Sequence, residues 1–347
     1  MSSRSSVSRR FARMMQRLTL SGVSGQNQSN LHAVPGGLST NDLSLLFVVL
    51  IWGANFSVVK LALREFPPAA FTALRFTLAA MLLLLILHWR EGGGAERLTA
   101  RMWMKLIWLG LVGNTLYQTL FIYGLAQTTA ANSALLVATS PVIVPLMGAL
   151  LGVERLTRHI VVGIALAFAG MTLIIAARGM AVSRETLIGD LLILSSSFCW
   201  SIYTLGIRAL GVHVSTLRLT ALTMLTGTPG LMLVGALPLS QIDWRGLSAA
   251  ALSALAYSVL LALVVAYMLW NLSVRKVGGS RTAVYSCAIP SVATLIAWPV
   301  LGERPTVIHA AGAVLIIGGV LLTRRLPAQK KAAVGSAPLE AEFHATQ

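Results

Sequence analysis

The chain has 347 residues, 56% of them hydrophobic and only 11% charged, with a mean hydropathy of +0.77. An ordinary soluble domain carries about 25% charged residues, so too little polar side chain is present to cover a water-facing surface, and a soluble enzyme is excluded. The 27 Lys and Arg against 11 Asp and Glu leave a formal charge of +16, which as a total fits nucleic acid or an acidic membrane surface, and only the positions of the charges decide between them.

Residues 1–43 form a polar tail with five Arg and no acidic residue before Asp42. Its composition predicts disorder, and an Arg/Ser-rich, acid-free start is also the composition of a targeting segment. A spanning helix needs about 20 mostly apolar residues to cross about 30 Å of hydrocarbon. Such runs occur at 44–63, 69–88, 105–125, 131–150 and 158–177, and again at 189–209, 216–236, 248–270, 281–301 and 307–323. A second polar tail, 324–347, follows. The sequence therefore predicts an all-α integral membrane protein with ten transmembrane helices, joined by connections too short to hold a soluble catalytic domain.

Several of these runs carry polar or aromatic residues at helical spacing. Trp52 and Asn55 share a face of the first run, and Asn114, Tyr117 and Gln118 a face of the third. Trp200 and Tyr203 share one on the sixth, and Tyr257, Val264, Met268 and Asn271 one on the eighth. Polar groups in membrane helices turn away from lipid, so as a set these residues predict an amphipathic substrate cavity of rings and amides. For any one of them, helix-to-helix hydrogen bonding or interfacial anchoring is the alternative, above all for Tyr123, Trp270 and Asn271 near run ends.

Two cations lie inside runs. Lys60 is three residues from an end and within snorkelling reach of water. Arg75 is about six residues deep, where an Arg costs about 2.5–3.5 kcal/mol on insertion scales. Orienting the bundle, attracting a carboxylate or phosphate, and snorkelling are all open to it. Pro141 and Pro290 fall in mid-run, where each lacks an N–H and releases the carbonyl four residues earlier, at Val137 and Ser286. Both predict helix breaks near the centre of the bundle, either as simple kinks or as cavity elements.

The charges sort by side. With the N-terminus inside, 20 Lys and Arg fall on tails and connections of the cytoplasmic side and five on the other. The excess charge is thus a topology signal that places both termini in the cytoplasm, and no Lys/Arg-plus-aromatic groove points to nucleic acid.

An internal repeat underlies the ten runs. At a shift of 149 residues, Ala134 falls on Ala283, Pro141 on Pro290, Glu154-Arg155 on Glu303-Arg304, Thr157 on Thr306, Gly163 on Gly312 and Gly170 on Gly319. At a shift of 148, Trp52 meets Trp200 and Lys60 meets Arg208. The spans thus divide into two five-helix repeats, 44–177 and 189–323. Five being odd, the second enters the membrane inverted, the arrangement that lets two halves exchange conformations about a midplane site. Gly163, Ala167 and Gly170, echoed by Gly312 and Gly319, make small-residue ridges suited to scaffold packing or a homodimer surface.

The stretches "IWGANFSVVK", "PPAAFTALRF" and "ANSALLVATSPVIVPLMGALLGVERLT" closing on "GIALAFAGMTLI", with the echo "SRTAVYSCAIPSVATLIAWPVLGERPT", resemble the EamA-type members of the drug/metabolite transporter superfamily. The resemblance covers residues 44–323 and implies a ten-helix inner-membrane carrier of small metabolites, often an exporter, with a cavity between the repeats. It does not identify the solute. No acidic residue lies near mid-span, no Gly-x-x-x-x-Gly-Lys sequence occurs, and no His-x-x-x-His pair or Ser/His couple sits at depth. Cys199 and Cys287 lie in apolar runs without metal-ligand spacing. These residues predict no catalytic group, no metal and no cofactor. The function expected is secondary transport of small amphipathic solutes such as amino acids or drugs. An intramembrane enzyme and a non-transporting membrane scaffold are the alternatives.

Overall fold

Helices begin where the sequence supplies caps. The computed structural model describes residues 39–92, 98–127, 133, 136–137, 139–152, 156–176, 187–211, 214–301 and 307–324, and their regular structure is entirely helical. Helix α1 (Thr40–Ala62) starts at a capping box, in which the Ser39 hydroxyl accepts from the Asp42 N–H and the Asp42 carboxylate accepts from the Ser39 N–H. Helix α2 (Pro68–Glu91) opens on Pro68, whose missing N–H costs nothing in the first turn, and ends at Gly92 with φ of 59°. Thr99 caps α3 (Ala100–Gln127), which contains a π-helical segment at Leu111–Leu116.

Helices α4 (Ser140–Leu150), α5 (Arg158–Ala176) and α6 (Leu187–Leu210) follow. Ser215 caps α7 (Thr216–Ser240), and Ser248 caps α8 (Ala249–Val277), which has its own π segment at Ser258–Val265. Gly278, at φ of 98°, turns the chain into α9 (Gly279–Tyr285). A 3-10 turn, Ser286–Ala288, leads to α10 (Ile289–Leu301), and α11 (Val307–Arg324) ends the described chain.

Six of these, α1, α2, α3, α6, α7 and α8, are long and apolar enough to cross a membrane, while α4 and parts of α5 and α11 are shorter apolar helices. The third run is longer than the sequence suggested, because the Thr99 cap starts the helix more than one turn earlier, at Ala100. The ninth run is interrupted: Pro290 cannot bond back to Ser286, and the 3-10 turn precedes it. Much of the 131–139 stretch, the Glu154-Arg155 and Glu303-Arg304 turns and nearly all of both tails lie outside the described residues.

The surface is inverted relative to a soluble protein. Leu233, Leu237 and Met81 are exposed, whereas Thr220, Thr223, Ser196 and Ser201 are buried. These four buried hydroxyls bond to carbonyls three or four residues back, as Thr220 does to Thr216 and Ser201 to Ser197, both at 2.8 Å. These four hydroxyls are thereby satisfied without water.

Close helix crossings use glycine. A Cβ on Gly170 would lie 2.4 Å from the Gly312 carbonyl, and one on Gly319 2.4 Å from the Gly163 carbonyl. The small-residue ridges of α5 and α11 therefore face each other within the chain, the scaffold packing that was one of the two readings of their sequence. In the same way α3 and α7 meet at Gly110 and Gly227, where a Cβ on Gly227 would lie 2.6 Å from the Gly110 carbonyl.

One tether joins loops at the end of the bundle where α1 finishes. Glu65 accepts from the Ser248 N–H at 2.7 Å and the Ser248 hydroxyl at 2.6 Å. These bonds favour the carboxylate and hold its pKa below the usual value. A depressed folded pKa contributes stability that is complete above the ordinary carboxylate pKa of about 4.3 and is lost as pH falls through the folded value. Protection factors for amides in the first turn of α8, with the intrinsic pH dependence of exchange divided out, should therefore fall on acidification in the native protein and stay constant over that range in Glu65→Gln. Equal pH profiles for the two proteins would refute the tether.

Candidate functional site

The five helices α1, α2, α3, α6 and α8 surround a cavity of about 70 Å³. From α1 it is lined by Trp52, Asn55, Phe56 and Val59, from α2 by Arg75, and from α3 by Tyr117, Gln118, Phe121 and Leu125. Ser197 and Trp200 of α6, Ala262, Leu263 and Tyr267 of α8, and Val137, Ser140, Ser286 and Ile289 complete it.

The cavity is off-centre. Its lining reaches Val59 and Leu125, close to the ends of α1 at Ala62 and α3 at Gln127. Towards the other end it stops at Trp52, Trp200 and Tyr267, each about three turns from the helix terminus on that side, and at Ser286, about two turns after the start of α9. Beyond them stands a cluster of rings. Trp200 lies 5.1 Å from Tyr117, 5.6 Å from Trp52, 5.5 Å from Tyr267 and Trp270, and is stacked on Tyr203 at 5.3 Å.

Past the rings, at the end where α1 begins, hydrogen bonds join the helices. Asn271 Nδ2 donates to the Tyr203 hydroxyl at 3.0 Å and to Thr220 Oγ1 at 2.9 Å. Arg208 donates to the Val274 carbonyl at 3.1 Å and Arg275 to Thr216 Oγ1 at 2.6 Å. The Tyr285 hydroxyl donates to the Asp42 carboxylate, and the Ser215 hydroxyl to Glu91.

Within the cavity wall Gln118 is the hub. Its Oε1 accepts from Arg75 Nη2 at 2.7 Å and its Nε2 donates to the Tyr267 hydroxyl at 3.2 Å. Arg75 is 2% exposed, and its guanidinium lies 5.3 Å from the Phe71 ring and 5.7 Å from that of Phe76, within cation–π range. It points into the bundle and does not snorkel. Asn55 accepts from the Ser258 hydroxyl at 3.2 Å, and Trp52 Nε1 donates to the Ala262 carbonyl at 3.1 Å, both partners being in the π segment of α8.

Of the residues singled out by sequence, Trp52, Asn55, Arg75, Tyr117, Gln118 and Trp200 line the cavity together. The others stand outside the lining. Asn114 is buried and donates to the Thr223 carbonyl at 2.8 Å, tying α3 to α7. Tyr203 lies beneath Trp200. Tyr257 donates to the Ile51 carbonyl at 2.9 Å, Met268 packs half-buried against the core, and Lys60 is exposed at the end of α1. Pro141 and Pro290 each occupy the second position of a helix. The Val137 carbonyl accepts from the Ser140 hydroxyl at 2.7 Å, and the Ser286 carbonyl from the Ile289 N–H, so protein groups satisfy both carbonyls.

Tyr267 is the main lining residue that the sequence pattern missed. The predicted face of Tyr257, Val264, Met268 and Asn271 assumed an unbroken 3.6-residue period. The π segment between Tyr257 and Ala266 disturbs that period, and one extra residue in a turn rotates everything after it by about 100°. Leu263 and Tyr267, four residues apart, face the cavity, whereas Tyr257 and Met268 do not line it. Ser140, Ser197 and Ser286 were also missed, since a serine in an apolar run gives no periodic signal.

An apolar-surfaced helical bundle that encloses an amphipathic cavity is the build of a multi-pass membrane protein for small solutes. The chain belongs to the EamA-like transporter family, whose pattern matches residues 40–176 and again 187–325. It is 31% identical to an uncharacterized transporter of Archaeoglobus fulgidus, over 82% of this chain and 97% of that one. It is 27% identical to a probable terminal-alkyne amino-acid exporter of Streptantibioticus cattleyicolor, over 81% of this chain and 92% of the relative. A solved crystal structure superposes with a TM-score of 0.68 at 20% identity, covering 83% of this chain and 97% of the other, a likeness of fold alone.

Proposed function

We propose that the protein is a secondary transporter that moves small amphipathic metabolites, amino acids or drug-like molecules among them, by alternating access across a plasma membrane, the inner membrane in a bacterium. Two inverted five-helix halves, 44–177 and 189–323, rock about the cavity, with both termini in the cytoplasm. Supporting the repeat are the two family matches, the like placement of Pro141 and Pro290, and the π segments at Leu111–Leu116 and Ser258–Val265, which coincide at the shift of 148. Amino-acid-like cargo is supported by the name of the Streptantibioticus relative.

The observation that carries the reading is the off-centre cavity, which approaches one end of the bundle and is closed from the other by rings and hydrogen bonds. With the termini inside, this conformer faces outward, and the Asn271–Tyr203, Arg275–Thr216 and Tyr285–Asp42 contacts form its cytoplasmic closure. Release inward requires those contacts to break while a matching closure forms at the outer end. No step requires covalent chemistry, and among the described residues the lining has no Asp, Glu, His or Cys. Counterflow of labelled metabolites in liposomes tests the reading: saturable exchange of at least one solute is expected, and none across a broad panel would refute it.

A further inference from the structure

Arg75 is the one charged group in the cavity wall among the described residues. It offers five N–H donors in a planar fork. Among the described residues its one hydrogen bond is from Nη2 to Gln118, and its Nε is buried without a partner. No carboxylate among the described residues neutralises it. Two phenyl rings offset part of the cost, but an uncompensated charge at this depth is expensive to keep. A counter-charge that arrives with the ligand removes the imbalance, and a planar fork matches a carboxylate.

We infer that Arg75 is the anchor for a carboxylate group of the solute, with the solute's apolar or aromatic body lying against Trp52, Tyr117 and Trp200. Gln118 is then a positioning residue: it holds Nη2 and orients the remaining donors. The inference rests on the transport reading for its purpose, while its binding chemistry can be tested alone.

The test is calorimetric titration of the purified full chain in nanodiscs with two probes of nearly the same shape, 3-phenylpropionate and 3-phenylpropanamide. A site whose buried polar group requires its partner discriminates strongly, so the acid should bind at least about tenfold tighter than the amide. Gln118→Glu, which supplies a built-in counter-charge, should bring that ratio close to one without lowering the thermal midpoint. Arg75→Lys, a point charge without the fork, should give an intermediate ratio. Were Arg75 merely structural, Gln118→Glu would leave the ratio unchanged.

Equal binding of acid and amide by the native protein, failure of both to bind, or an unchanged ratio in Gln118→Glu would overturn the proposal. So would chloride titrating the site at the same concentrations as the acid, since that marks a site for inorganic anions. Counterflow separates the two readings. Selective binding of the acid without counterflow of any solute removes transport and leaves the anchor, whereas counterflow of amide and acid alike removes the anchor and leaves transport.

Discussion

Trp200→Ala is expected to abolish counterflow and to lower stability by about 2 kcal/mol. Trp200 both lines the cavity and contacts five other rings at 5.1–5.6 Å while only 6% exposed. In soluble cores, truncating Trp to Ala costs about 3–5 kcal/mol, part of it hydrophobic transfer. In a bilayer that part shrinks, because lipid tails are as apolar as the protein interior, and lost packing remains. The functional loss is the larger effect. Without the indole, the cavity floor opens towards the Tyr203–Asn271 layer, and the solute loses its central ring contact. Trp200→Phe keeps an aromatic surface and should retain part of the rate. Trp89→Ala, at a side chain 76% exposed, should change neither property. Counterflow at native rates in Trp200→Ala would show that the ring cluster is no part of the pathway.

Hydropathy and helical period made much of this arrangement legible. Apolar runs located the helices because lipid demands apolar surface all round, and the i, i+3, i+4 spacing of Asn114, Tyr117 and Gln118 pointed two of the three at the cavity. The same spacing failed for Asn114, which serves a helix contact, because period gives a face but not which neighbour that face meets. It failed again on α8, where the π segment changes the phase in mid-helix; no residue in Ser258–Val265 announces that insertion. Arg75 was legible as unusual, yet its depth in residues left snorkelling open. Only its burial and its hydrogen bond to Gln118 decide that it turns inward.

The glycine ridges were legible as packing surfaces but not as partners of one another, and their pairing yields a sharp contrast between neighbours. On α11, a Cβ at Gly319 would sit 2.4 Å from the Gly163 carbonyl and 2.7 Å from the Ala167 nitrogen. Those are backbone atoms, which cannot rotate away, so α5 and α11 must separate. One residue earlier, a Cβ at Gly318 meets only Leu166 Cδ2, at 3.3 Å, the tip of a flexible side chain. Gly319→Ala should thus destabilise by about 1–3 kcal/mol, the usual cost of overpacking. Gly318→Ala should be neutral or gain up to about 1 kcal/mol from the better helix propensity of alanine. Thermal midpoints of the two variants in the same detergent check this: a similar shift in both would mean that α5 and α11 do not cross at Gly163 and Gly319.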